Sequence, residues 1–254
     1  MSKVVIYGKN TVVEAMRSGR EIKKLFITND VLKKEGEIRK YIHDTNVKVE
    51  KIEPSKLKKL IQNKYNITGA LQGLVAEVAD YVYADLDYVM EQVEKSGKIG
   101  FYIMLDGLED VHNLGAILRS ADATGVDAII IPKNGSVNLN PTVARLSAGA
   151  IEYVNVIQVT NLNKTIEKMK KKGIWFVGTD ASNSSDYRTV DMTAPTCIVI
   201  GSEGRGMSRM VKDGCDFKVY LPMVGKITSL NASVAAALLM YEVYNQRNPV
   251  QIKK

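Results

Sequence analysis

Three segments of this 254-residue sequence gather most of the residue types that could do chemistry, and each follows an apolar stretch. The first, LDGLEDVHNLGAILRSADATG over 105–125, holds His112, Asn113, Arg119 and Ser120 in an extended loop that leads into a helix near Gly115. An arginine near a helix start can add its fork of donors to the free N–H groups of that helix and grip a phosphate. The same spacing also allows Arg119 simply to pair with Asp122 or Asp106. The second segment, CIVIGSEGRGMSRMV over 197–211, runs from a buried strand through Gly201, Glu203, Gly204 and Gly206 into a helix. Glycines so closely spaced let a ligand approach the backbone, or merely permit tight packing. The third, YLPMVGKITSLNASVAAALL over 220–239, closes a strand at Leu221-Pro222 and opens a helix with Ser229, Asn231 and Ser233. There Ser229 reads as the N-cap and Asn231 as a residue left to water.

Several chemistries are disfavoured. The glycine-rich turn is neither G-x-G-x-x-G nor G-x-x-x-x-G-K-[ST], so it carries no standard nucleotide fingerprint. Only His43 and His112 are present, so a serine or cysteine triad would rest on one of them, and His112 reads as a loop residue. Cys197 and Cys215 are far apart and lack zinc-ligand spacing, so no metal and no disulfide framework is expected. No secretory leader and no membrane-spanning apolar run is seen, which points to a cytoplasmic protein. The net charge of +7 is uneven: residues 1–80 carry 16 Lys/Arg against 10 Asp/Glu, and residues 81–254 carry 19 against 18. A basic front end suits a polyanion such as nucleic acid, although such a surplus also serves solubility.

The elements that must position these residues form two α/β runs. Residues 1–80 alternate strands at Val4–Gly8, Lys24–Thr28, Val47–Ile52 and Gly73–Val78 with helices at Asn10–Ser18, at Leu32–Asp44 and after Pro54. Residues 81–98, rich in tyrosine and acid and ending near Ser-Gly, read as a linker with a short helix. From Ile99 to Lys254 a second domain alternates strands and helices, among them a helix expected over Pro141–Gly149. Its runs DAIIIP, IWFVG and CIVIG are apolar throughout, as parallel strands covered on both faces require. The last helix, SVAAALLMYEV, is apolar nearly all round, so one face packs on its own sheet and another meets a second subunit, or the whole helix is buried in a monomer.

Taken together, NLGAILRSA, GSEGRG and LPMVGKITSLNAS resemble, in order and spacing, the three motifs of the SpoU/TrmH family of SPOUT RNA 2′-O-ribose methyltransferases. The opening VIYGKNTVVEAMRSG and the QGLVA strand look like the ribosomal-protein-like RNA-binding domain that precedes the catalytic part in members methylating a guanosine ribose in 23S rRNA. The resemblance implies a parallel-sheet SPOUT domain with a trefoil knot, S-adenosyl-L-methionine as methyl donor, RNA (rRNA first) as partner, and a homodimer. By motif position it implies donor contacts from Thr179, Gly201, Gly204, Leu221, Met223 and Leu230, and a catalytic group of Asn113, Arg119, Glu203, Ser229 and Asn231. In that group Glu203 and Asn231 are expected to orient Arg119. Arg205, between the glycines, is expected to bear on RNA contacts.

Overall fold

The computed structural model describes residues 4–180, 184–226 and 229–250. The chain forms two compact units, Met1–Val82 with Leu139–Tyr153, and Tyr83–Asn138 with Val154–Lys254. The first unit opens with β1 (Val4–Tyr7), α1 (Lys9–Arg17), β2 (Ile22–Ile27), α2 (Asn29–Lys34), α3 (Gly36–Asp44), β3 (Lys48–Lys51), α4 (Pro54–Tyr65) and β4 (Leu74–Val78). Its sheet has the order β1-β4-β2-β3, with β4 antiparallel to both neighbours and β2 parallel to β3. The chain leaving β1 and β2 therefore meets the chain entering β4 at one edge, where Gly8 N donates to Leu74 O and Thr28 N to Gly73 O. Val5, Tyr7, Phe26, Leu57, Ile61, Leu71 and Val75 close the core beneath α4.

The helix expected over Leu32–Asp44 is two helices. The backbone is extended at Glu35, ahead of Gly36, a poor helix former. Arg39, one turn into α3, donates to the carbonyls of Leu32 and Lys33, which the break leaves free.

The remaining elements are α5 (Leu86–Lys95), β5 (Phe101–Asp106), α6 (Val111–Thr124), β6 (Ala128–Pro132), α7 (Pro141–Leu146), β7 (Asn155–Val159), α8 (Leu162–Lys170), β8 (Trp175–Thr179), β9 (Ser185–Asp186), β10 (Thr196–Gly201), α9 (Arg209–Gly214), β11 (Phe217–Tyr220) and α10 (Ala232–Arg247). The second unit's seven strands are all parallel, in the order β7-β6-β5-β10-β8-β11-β9. Strand side chains alternate between faces. Tyr102, Met104, Ala128, Ile130, Phe176, Cys197 and Val199 meet α5, α8 and α9 on one face. The alternate positions Ile103, Leu105, Ile198 and Ile200 are buried on the other, where α10 packs on β10 and α6. Strands β5 to β7 build outward in one direction and the later strands in the other, so order reverses between β5 and β10. Ligand sites of open parallel sheets form outside the strand ends at such a reversal.

Two expected boundaries change. The segment 81–98, expected as a linker with a short helix, does hold that helix, α5, but α5 is capped by Asp85 and buries Leu86, Val89, Met90 and Val93 in the core of the second unit, which begins at Tyr83. Residues 139–153 group with the first unit: α7 ends at Leu146 and packs on β1 and α1, Arg20 pairs with Glu152 at 2.6 Å out of solvent, and Tyr153 Oη donates to Glu14 Oε2 at 2.7 Å. These contacts lie more than a hundred residues apart in sequence, beyond the reach of local pattern.

The end of α10 is held by one side chain. Arg247 donates to the carbonyls of Met192, Ile99, Gly100 and Ala194, and its guanidinium lies 5.3 Å from the Phe101 ring centre. Burial pushes its pKa down, with Asp127 opposing. Removing it strands several half-buried carbonyls, so Arg247→Ala should lower stability by about 2–4 kcal/mol, read as a lower urea midpoint at unchanged m.

Candidate active site

The strand ends at the reversal carry the polar residues. Leaving β5, the chain turns at Gly107, and Asp110 caps α6 by accepting from His112 N at 2.8 Å. The helix thus begins at Val111, four residues before the expected start, and places His112 exposed and Asn113 buried on its first turn. The cue was Asp110 itself, a preferred cap residue ahead of an apolar run.

Leaving β10, the chain makes a narrow turn in which Ser202 and Gly206 exchange both backbone hydrogen bonds, at 3.0 and 2.9 Å. Its glycines serve different ends. A Cβ on Gly201 would lie 2.1 Å from Gly206 C, so that position must stay bare for the turn to close. Gly204, at φ 82°, faces open space. Asp106 Oδ2 accepts from Ser208 N at 2.6 Å and ties the turn's far side to the end of β5.

This turn presents Glu203 to the other two segments. Glu203 Oε1 accepts from Asn113 Nδ2 at 3.0 Å, from Asn231 Nδ2 at 2.6 Å and from Ala232 N at 3.3 Å. Asn231 Nδ2 also donates to Asn113 Oδ1 at 2.8 Å. The N-cap of α10 is Asn231, not Ser229: its Oδ1 accepts from Ser233 N at 3.0 Å and Val234 N at 3.4 Å. Asn231 is exposed, yet it is not left to water alone: it caps a helix and binds a carboxylate at once.

Of the expected catalytic group, then, Asn113, Glu203 and Asn231 meet. Ser229 is exposed. Arg119 is exposed on the third turn of α6, about 9 Å along the axis from Asn113. Among the described residues Arg119 has no hydrogen bond or ion pair, so it pairs with neither Asp122 nor Asp106, and Glu203 and Asn231 do not hold it. Thr179 and Gly201 are the last residues of β8 and β10, and Leu221 follows β11; Thr179 Oγ1 donates to Val199 O at 3.3 Å. Leu221 is half-buried, while Met223 and Leu230 are exposed. Burial pushes the Cys215 pKa up to about 12 and that of Cys197 well above its ordinary value, so neither offers a thiolate at neutral pH. Among the described residues no group of three or more His, Cys, Asp or Glu could hold a metal ion, and no helix is long and apolar enough to cross a membrane.

A parallel sheet with a polar cluster at its strand reversal, in a chain that also forms a separate four-stranded unit, is the build of an α/β enzyme with an accessory domain. Residues 100–241 match the SpoU rRNA Methylase family, and residues 5–84 match the domain described as RNA 2′-O ribose methyltransferase substrate binding. A Bacillus subtilis protein, YacO, named for the TrmH family of tRNA/rRNA methyltransferases, is 50% identical over 245 residues, 96% of each chain. The SpoU methyltransferase AviRb of Streptomyces viridochromogenes, solved with AdoMet, shares the fold at a TM-score of 0.79 and 24% identity, over 96% of this chain and 90% of its own. An AdoMet-bound rRNA methyltransferase from Sinorhizobium meliloti does so at 0.79 and 21%, over 98% and 88%. The chain belongs to the SpoU rRNA methylase family and is a methyltransferase.

Because Asn231 both caps α10 and satisfies Glu203, Asn231→Ala should cost about 1–2 kcal/mol. Asn231→Asp keeps the cap and sets two carboxylates together, so it should keep the helix yet still lose stability as pH rises from 4 to 7. Urea unfolding of both variants across about that pH range checks the pair.

Proposed function

We propose that the chain transfers a methyl group from S-adenosyl-L-methionine to a ribose 2′-hydroxyl of RNA, with a guanosine of 23S rRNA as target, in the cytoplasm and as a homodimer. The observation that carries this reading is the joining of Asn113, Glu203 and Asn231 at the strand reversal of a SpoU-family sheet. The match of the front unit to a 2′-O-ribose substrate-binding domain supports the ribose. Its basic surplus, and the family's description as an rRNA methylase, favour rRNA over tRNA.

The residues present fit the donor. The ends of β8, β10 and β11 stand side by side and offer open space at Gly204 and the apolar side chains of Leu221, Met223 and Leu230. Thr179, Gly201, Gly204, Leu221, Met223 and Leu230 would hold it. When bound, the donor supplies an electrophilic methyl group. The same reading expects a trefoil knot, and the insertion of β10 and β11 between earlier strands supports it.

A ribose hydroxyl attacks poorly until its proton departs. A guanidinium is a poor base, so Arg119 is assigned to gripping the neighbouring phosphate and stabilising negative charge developing on the ribose oxygen. The hydroxyl proton passes to a phosphate oxygen or water. Glu203, already accepting three hydrogen bonds on Oε1, fixes Asn113 and Asn231 rather than taking that proton. Ser229 is exposed two residues before Asn231 and is assigned to the nucleotide.

The dimer reading rests on α10. Val234, Leu238 and Tyr241, spaced four and three apart, are exposed at 47%, 43% and 47%, while Ala236, Leu239, Met240 and Val243 are buried on the opposite side. Such a stripe is costly to leave in water.

Arg119→Lys keeps the charge and loses the fork: donor binding by calorimetry should be unchanged, and kcat should fall about tenfold or more. Near-normal turnover would remove Arg119 from the mechanism. Mapping 2′-O-methylation in rRNA and tRNA from cells with and without the protein names the target. Leu238→Glu should convert a sedimenting dimer to monomer; a wild-type protein that sediments as monomer overturns the dimer.

A further inference from the structure

The first unit carries a cleft of about 310 Å³ between the start of α4 and the loop before β4, lined among others by Pro54, Leu57, Lys58, Ala70, Leu71 and Gln72. It lies wholly within that unit and contains none of the residues given a catalytic or donor role. Leu57 and Leu71 are buried there. Its wall is held from behind. Lys64 Nζ at 3.0 Å and Tyr65 Oη at 2.5 Å bond the buried Glu77 carboxylate and lock the end of α4 onto β4. Gly73, at φ 71°, is packed so closely that a Cβ would lie 2.4 Å from Thr28 Oγ1. Gln72 beside it adopts φ 52°, a left-handed conformation that costs a non-glycine residue about 1–2 kcal/mol.

The strained residue is also the one with an orienting bond. Lys9 N donates to Gln72 Oε1 at 2.8 Å, and because a backbone N–H can only donate, the amide's orientation is fixed. Gln72 Nε2, which makes no hydrogen bond among the described residues, is left as a donor. Lys58 is exposed at the cleft, and among the described residues it, Lys56 and Lys59 on the same helix have no carboxylate within ion-pair distance.

We propose that this cleft is a subsite for one unpaired nucleotide of the RNA substrate, with the base against Pro54 and Leu57, an acceptor on the base edge taken by Gln72 Nε2, and a phosphate paired with Lys58. The volume is at the small end for ligand clefts and suits one nucleotide rather than a helical segment. Bases become available for edge contacts of this kind where RNA is single-stranded. The inference rests on the reading of the chain as an RNA enzyme, and it assigns substrate affinity to a place away from the chemistry.

The test uses the full-length protein and a fluorescein-labelled, mixed-sequence single-stranded RNA of about 12 nucleotides, alone and as a duplex. Ala70 is exposed, so Ala70→Trp fills the cleft from its open side; it should weaken single-strand binding about tenfold and leave duplex binding unchanged. Lys58→Gln should reduce the slope of log Kd against log salt by about 0.7, the share of one phosphate contact on a single strand. Both variants should bind S-adenosyl-L-methionine as the wild type does. Unchanged single-strand affinity in Ala70→Trp together with an unchanged salt slope in Lys58→Gln overturns the subsite, as does an equal loss toward duplex. A wild type that binds the RNA but no methyl donor would sink the proposed function instead, while the variants would still decide the cleft.

Discussion

One carboxylate oxygen organises the carboxyl-terminal sheet's functional edge. Glu203 Oε1 takes hydrogen bonds from Asn113, Asn231 and the Ala232 amide, so the loops after β5, β10 and β11 share a single acceptor. Glu203 and Asn231 are exposed and Asn113 is buried, so it is the Asn113 amide that a lost partner would leave unmet out of solvent. Everything nearby serves completeness. The Ser202–Gly206 turn aims Glu203, Asp106 anchors that turn to β5, and Asp110 sets where α6 starts and hence where Asn113 lies.

The same cluster fixes the last helix. Asn231 starts α10 and Arg247 ends it, the first through a cap and the second through carbonyls contributed by the segments before β5 and β10. A helix pinned at both ends cannot slide against α6 or β10 without breaking one of these sets. Its buried side can therefore be built largely of small and flexible residues such as Ala236 and Met240, because the ends and not the shape of the interior determine its register.

Much of the fold was legible because burial on both sides of a parallel sheet leaves continuous apolar strands, and β6 and β10 read that way at once. The three polar segments were legible as segments. What the sequence did not resolve were choices between near neighbours and contacts between distant ones. Ser229 and Asn231 are both good caps, and only the carboxylate of Glu203, far away in sequence, decides for Asn231. Gly115 looked like a helix start, but Asp110 had already capped the chain. The allegiance of residues 139–153 turns on Arg20 with Glu152 and Glu14 with Tyr153, pairs that no periodicity reveals. The two-residue strand β9 is too short to leave an alternating pattern.

The separation between the fixed cluster and Arg119 bears on how such a site works. Asn113, Glu203 and Asn231 satisfy one another before any ligand arrives, so they constitute rigid scaffolding. Arg119 is the opposite: exposed, with no partner among the described residues, and carrying five donors. A charged side chain held by an internal carboxylate would have to give up that bond to take a phosphate, and the exchange would gain little. Left free in water, it loses only solvent and some rotamer freedom, and the full charge-assisted bond goes to the incoming anion. On the proposed reading, the division of labour on this edge is between residues whose hydrogen bonds are spent on geometry, Asn113 among them, and Arg119, two turns further along the same helix, whose donors are kept for the substrate.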